Sequence, residues 1–332
     1  IVSFVVLIIV QLLASSTTTT AFCPVVICPG FGNDAIDYQE PLKQPREVGL
    51  VSCLERRGFD PSQIYIVPIQ RLDWIKVFTG GLLDFPNFYL NKAQPTGGGY
   101  GWYLERLKET VDTAYANSDE NKVLLLGHSA GGWLARAAMG DGTWDDGVAT
   151  SERIRALVTI GAIHEPPADA SKCVTRGALA YTSENYPGAF LAKDGISYIS
   201  VGGNAVVGNK KDKSNNIDDD IVSEDELRRK KASNVAYTAY ESVCGEGAVG
   251  GDGVVPLEWS LLEGSRQLSL DGVFHSINEA GTTLPTDRWY GAEAIIDQWL
   301  PTVLEEANLN SNNNAPLLEL QKFWQSLTVE SK

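Results

Sequence analysis

An uninterrupted apolar run, Val123-Leu-Leu-Leu126, leads into glycines that flank Ser129 and then into a second apolar run from Trp133 to Met139. The first run suits a strand buried on both faces, and the second reads as a helix. Further strands are predicted over the apolar stretches 24–28, 64–69, 155–161 and 196–201, and over Arg266-Gln-Leu-Ser-Leu270. Helical patterns cover 48–57, stopped by Gly58 as a C-cap, then 101–116 and 291–300, where Pro301 kinks or ends the last helix. Strands alternating with helices imply right-handed crossovers and a parallel sheet covered on both faces, hence one α/β domain.

Three insertions break that rhythm. Residues 72–103 carry Trp74, Phe78, Phe85, Phe88, Tyr89, Tyr100, Trp102 and Tyr103 among Gly and Pro. A segment so aromatic is expected to pack over the sheet edge or roof an apolar pocket rather than stand in solvent. The second insertion spans 164–194. The third, 204–250, is charged and polar, with a mobile-looking stretch from Lys210 to Asn216. Within it, Glu224-Asp-Glu226 precedes Arg228-Arg-Lys-Lys231 on what reads as one self-neutralising helix face.

The ends have a different character. Residues 1–14 are apolar apart from Ser3 and Gln11 and pass into Ser and Thr, which fits a secretory h-region with cleavage after Ala21. Entry into the secretory pathway is the expected localisation, and the Ala21-Phe-Cys-Pro24 junction also fits the plastid targeting of a diatom-like alga. Residues 307–332 read as a polar linker followed by an amphipathic helix carrying Leu317, Leu320, Phe323 and Trp324. Five cysteines cannot all pair within one chain, and the one pairing to suggest is Cys173 with Cys244.

Composition narrows the partners. Of 332 residues, 43% are hydrophobic and 21% charged, ordinary values for a globular chain with a large core. A net charge of −15 excludes a nucleic-acid backbone as the main partner, since phosphate rewards clustered Lys and Arg. No Cys/His spacing for zinc, EF-hand loop, P-loop or dinucleotide turn survives inspection of its context, so neither a metal nor a cofactor is expected.

The chemistry concentrates at Gly127-His-Ser-Ala-Gly131, a G-x-S-x-G pentapeptide between strand and helix. In that context the serine sits on a cramped elbow with its hydroxyl lifted off the sheet end, the position of a nucleophile. A serine hydroxyl needs a base, and the base needs a carboxylate. Among the three histidines, His275 follows the sixth strand and is the first candidate base; His164, after the fourth strand, is the alternative, and His128 is placed to pack beside the site. Asp252, in the turn Gly250-Gly-Asp-Gly253, is the first candidate acid, with Asp271, Asp194 and the run 218–220 as rivals. Oxyanion donors are expected from the Ala130 N–H and from Phe31 in Gly30-Phe-Gly32. Trp74, Phe78, Phe85, Phe88, His128 and His164 are the candidate pocket lining.

The spaced set Pro29-Gly-Phe-Gly-Asn33, Arg71-Leu-Asp-Trp74, Gly127 to Arg136, Gly251-Asp-Gly-Val-Val-Pro256 and Asp271-Gly-Val-Phe-His275 resembles the α/β-hydrolase superfamily. More narrowly, it is similar to a lipase-like plant and algal branch related to GPI inositol-deacylase-type proteins. The resemblance implies an α/β-hydrolase domain over 22–306, with a mostly parallel sheet of about six strands, flanking helices and lid-like insertions. It also implies Ser129 as nucleophile, Asp252 as acid and His275 as base. The expected activity is that of a lipase- or esterase-like serine hydrolase on a hydrophobic ester, working through an acyl-enzyme. Acyl transfer, thioester hydrolysis and a non-catalytic binding protein on the same scaffold are the alternatives. Expected partners are a hydrophobic ester or lipid substrate and transient contact with a membrane surface, with no nucleic acid and no obligate protein partner.

Overall fold

The computed structural model describes residues 22–118, 122–141, 143–144, 147–210 and 223–309. The targeting segment, the C-terminal amphipathic helix and the run 218–220 lie outside them, as does all but Lys210 of the stretch 210–216.

Strands β1 (Val25–Cys28), β2 (Ile64–Ile66), β3 (Val123–His128), β4 (Ile154–Ile160) and β5 (Ser197–Asn204) belong to one sheet. After a short antiparallel ribbon of β6 (Val206–Val207) and β7 (Gly250–Gly251), the strand β8 (Arg266–Asp271) completes that sheet. Its six strands run in the order β2-β1-β3-β4-β5-β8, and every ladder is parallel. Parallel neighbours with no hairpin between them require crossovers, which the helices supply. All side chains of β1 and β3 are buried, the signature of strands covered on both faces.

Alternate residues of each strand feed two cores. Val25 and Ile27, with Leu124, Leu126 and Val158, pack against the helix Leu50–Glu55 and the last helix, Glu293–Glu306. Val26 and Cys28, with Val123 and Leu125, pack against the helices Gly101–Ala116 and Ala130–Gly140. Arg57 ties the two helices of the first layer together, donating to Asp297 Oδ1 at 2.7 Å and to the Glu293 carbonyl at 3.0 Å. Carboxyl ends of β1, β3, β4 and β5 therefore converge on one side of the sheet, where ligands bind in open parallel sheets.

Several expectations are sharpened or corrected. The last helix does not end at Pro301 but runs through it to Glu306. Leu300 and Val303 on either side are buried, and burying that face outweighs one lost backbone hydrogen bond. Residues 72–103 are mostly helical, with Lys76–Leu83 and Phe85–Tyr89 between the strand end and the helix at 101. Charged residues 224–231 open a 21-residue helix, Glu224–Cys244, on which Lys230 pairs with Glu226 at 2.8 Å and Arg228 with Asp225 at 3.4 Å. Cys173 and Cys244 are not joined: both are buried thiols, bonded locally to Thr175 Oγ1 and to the Tyr240 carbonyl.

Trp299 is fully enclosed in the first core, and its indole N–H donates to the Tyr290 carbonyl at 3.0 Å. Trp299→Ala is expected to cost about 3–5 kcal/mol of stability, measured by urea unfolding.

Candidate active site

Ser129 takes φ 51° and ψ −124°, a conformation an L-residue adopts only under constraint. Its surroundings impose it. The Ser129 N–H donates to the Ile160 carbonyl of the neighbouring strand at 3.1 Å, and its carbonyl accepts from Gly132 N–H at 3.0 Å. At Gly131, against the Cys28 carbonyl, there is no room for a Cβ, so the helix start nests onto the end of β1. A strained serine between the central strand and its helix, on a sheet of this strand order, decides the architecture. The fold is that of the α/β hydrolases.

Asp252 and His275 meet at the same sheet end. Asp252 Oδ2 lies 2.8 Å from His275 Nδ1, and the His275 N–H donates to the Asp252 carbonyl at 2.9 Å. Both residues are buried, Asp252 to 1% exposure. A carboxylate so enclosed needs donors on both oxygens. Oδ1 accepts from Val254 N–H at 3.0 Å and Val255 N–H at 2.7 Å, and Oδ2 also accepts from the Tyr290 hydroxyl at 2.8 Å. Tyr290 Oη in turn accepts from Gly203 N–H at 2.7 Å. Burial and the neighbouring carboxylate hold the phenol well above its ordinary pKa, so its proton stays available to Asp252. Gly161 leaves space for this group, since a Cβ there would stand 2.9 Å from Asp252 Oδ2 and 3.1 Å from His275 Nδ1. Gly161 directly follows the Ile160 carbonyl that holds Ser129, which brings the serine to this corner. Among the described residues, Ser129 Oγ itself makes no hydrogen bond.

The loop after β1 faces the elbow. A Cβ on Gly30 would lie 2.8 Å from the Ser129 Cβ. Gly30 N–H is spent on the Tyr38 hydroxyl at 3.0 Å, whereas the Phe31 and Ala130 N–H groups donate to nothing among the described residues. Two free donors therefore flank the serine. Arg71 and Trp74 hold the loop from outside: Arg71 Nε donates to the Gly32 carbonyl at 2.9 Å and Trp74 Nε1 to the Asn33 carbonyl at 3.2 Å. Asp73 between them bonds Arg106 and Lys76, and those cations hold its carboxyl well below the usual range.

The rivals lie elsewhere. Asp271 and Asp194 are exposed, and neither bonds His275. His164 is buried in the core with Nε2 on Thr159 Oγ1 at 3.0 Å, and Arg136 donates to its carbonyl at 2.8 Å. His128 is buried as well, with both ring nitrogens bonded. His128 thus has no free ring nitrogen, whereas His164 keeps its Nδ1 buried and without a partner among the described residues, away from the Asp252–His275 pair. Trp74 is a buried wall, its ring 5.1 Å from that of the exposed Phe31. Phe78, Phe85 and Phe88 instead line a shallow groove of about 490 Å³ with Gly81, Leu82, Tyr89 and Arg176. Tyr38 and Tyr290 bond His128 and Asp252 in a way that no local pattern announces.

No family model and no curated protein matches the chain. Among solved structures, a metagenomic carboxyl esterase is similar at 15% identity and a TM-score of 0.44, over 86% of this chain and 76% of that one. An α/β-hydrolase enzyme from the metagenome of sediments of the lagoon of Mar Chica, Morocco, shares 17% identity at a TM-score of 0.37, over 86% of this chain and 92% of that one. A fungal esterase from Rhizomucor miehei shares 12% at 0.36, over 88% and 76%. At such scores they decide nothing about activity, and the fold rests on the strand order and the elbow.

Burial lowers His128 from 6.5 to about 3, and burial, with Arg136 alongside, pushes His164 well below 6.5. Both are neutral in the fold, while the unfolded chain protonates them below 6.5. Their contribution to stability is therefore complete above pH 6.5 and falls as pH drops toward 3, by on the order of 1 kcal/mol per pH unit for each. Denaturant midpoints measured between pH 7 and pH 4.5 are expected to fall accordingly.

Proposed function

We propose that this protein is a serine carboxylic-ester hydrolase, with Ser129 as nucleophile, His275 as base and Asp252 as the carboxylate that orients it. The observation that carries the reading is the strained Ser129 elbow at the sheet corner where Asp252 and His275 are paired at 2.8 Å. The Asp252 contact fixes the proton of His275 on Nδ1 and leaves Nε2 bare to accept the serine proton. Serine Oγ then attacks the ester carbonyl, and the oxyanion forms between the Phe31 and Ala130 N–H groups. Collapse of the tetrahedral intermediate expels the alcohol, which takes the proton from His275 Nε2 and leaves an acyl-Ser129. Water, activated by the same nitrogen, releases the acid and restores the serine.

A hydrophobic acyl group is favoured by exposed apolar side chains in the Gly30–Gly32 loop and in residues 72–85, which continue from the Arg71 and Trp74 contacts to that loop. Phe31, Leu72, Ile75, Phe78, Leu82 and Phe85 are all more than half exposed, an apolar margin uncommon on a solvated surface. The motifs around Pro29 to Asn33 and Asp271 to His275 support a lipase-like branch as the family proposal.

A fluorophosphonate probe is expected to label the wild type at Ser129 and to leave Ser129→Ala unlabelled. Ser129→Ala and His275→Ala should each lower kcat on p-nitrophenyl esters by roughly a thousandfold or more, with circular dichroism unchanged. Absence of labelling in the wild type would sink the reading. A preference for acetyl over octanoyl esters would remove the hydrophobic-ester part alone.

A further inference from the structure

His128, the last residue of β3, sits between the two loops that the proposed reaction must hold in register. Its ring lies 5.0 Å from that of His275, centroid to centroid, and it is 2% exposed. His128 Nε2 is 3.0 Å from the His275 carbonyl oxygen. A carbonyl can only accept, so Nε2 carries the hydrogen. Burial keeps the ring neutral, with its pKa drawn down to about 3, and Nδ1 is then a bare acceptor. The Tyr38 hydroxyl lies 2.8 Å from Nδ1 and must be its donor. Burial also raises the Tyr38 pKa, which keeps that proton in place. Tyr38 Oη has a lone pair left over, and Gly30 N–H donates to it at 3.0 Å.

Every proton direction along the chain is thereby fixed. Gly30 N–H donates to Tyr38 Oη, Tyr38 O–H donates to His128 Nδ1, and His128 Nε2–H donates to the His275 carbonyl. One end is the residue before Phe31 in the oxyanion loop; the other is the backbone of the base.

We propose that Tyr38 and His128 are positioning residues that tie the oxyanion loop to the catalytic base, setting the distance between the Phe31 N–H and His275 across the carboxyl end of the sheet. The inference rests on the hydrolase reading above. Neither side chain touches substrate. Their work is to make two loops 245 residues apart in sequence, at Gly30 and His275, a single rigid frame around the reacting carbonyl. His164 offers an internal comparison, because it is equally buried and bonded to Thr159 Oγ1 at 3.0 Å, yet its bonds lead only into the core.

The test compares Tyr38→Phe, which cuts one link, with Thr159→Val, which cuts a like bond off the chain. Kinetics on a soluble p-nitrophenyl ester are normalised to active sites titrated by fluorophosphonate, and thermal midpoints are measured alongside. Tyr38→Phe is expected to lower kcat by about tenfold with KM within about twofold, while Thr159→Val loses stability at unchanged kcat. The Tyr38→Phe/His128→Asn double variant is expected to be no slower than the slower single variant, because both cut one chain. Wild-type kcat in Tyr38→Phe at a lowered thermal midpoint would reduce the chain to ordinary core bonding and overturn the inference, with the hydrolase reading intact. A wild type that takes up no probe removes both. Should the variants fail to fold, nitrogen-15 NMR of the wild-type imidazoles at pH 7 gives the decision. His128 is expected as the Nε2–H tautomer with a hydrogen-bonded bare Nδ1, and an Nδ1–H tautomer or a charged ring would overturn the chain.

Discussion

A carboxylate shut away from water at the carboxyl end of the sheet sets the terms for everything around it. Asp252 is met by four partners, two backbone N–H groups on one oxygen and an imidazole and a phenol on the other. Losing one partner would leave an under-satisfied ion in a dry site, which costs far more than an average hydrogen bond. The need for those donors explains several features at once. The turn from Asp252 to Val255 must fold back on itself, β4 must be followed by a residue without a side chain, and Tyr290 must be held against the sheet by Trp299 behind it.

The opposite requirement governs the serine side. There, the Phe31 and Ala130 N–H groups are unpaired among the described residues, and the backbone is immobilised by other means. Tight packing of the helix start onto β1 and the Arg71 and Trp74 bonds to loop carbonyls supply that rigidity without consuming the Phe31 or Ala130 N–H groups. Such preorganisation lets a hydrogen bond form to developing charge without reorganising the site at that moment. The Asp252 corner and the Ser129 corner are thus built on contrary rules, saturated hydrogen bonding on one side and unpaired donors on the other.

Much of this was legible along the chain because it is local. Strands β1, β3, β4 and β5 announce themselves as apolar runs, and the elbow is written in five consecutive residues. The order of Ser129, Asp252 and His275 follows the order of strand ends, so topology and chemistry can be read together. The bonds made by Tyr38 and Tyr290 are a different matter. Each tyrosine lies in a segment without periodicity, and its partner is 90 or 38 residues away, so nothing nearby marks it. Histidines 128 and 164 show the same limit, since a side chain's type reveals what it can bond but not which direction the fold will turn it. Pro301 shows another: local preference named a kink or an end there, and with Leu300 and Val303 buried the helix runs on through it.

All five cysteines are buried, and none forms a disulfide. The described fold therefore holds together without a disulfide cross-link. Buried thiols are also shielded from electrophiles for as long as the core stays closed. Thiol alkylation is then a clock for opening: a reagent added to the native protein would report, cysteine by cysteine, how often each layer of the sheet comes apart.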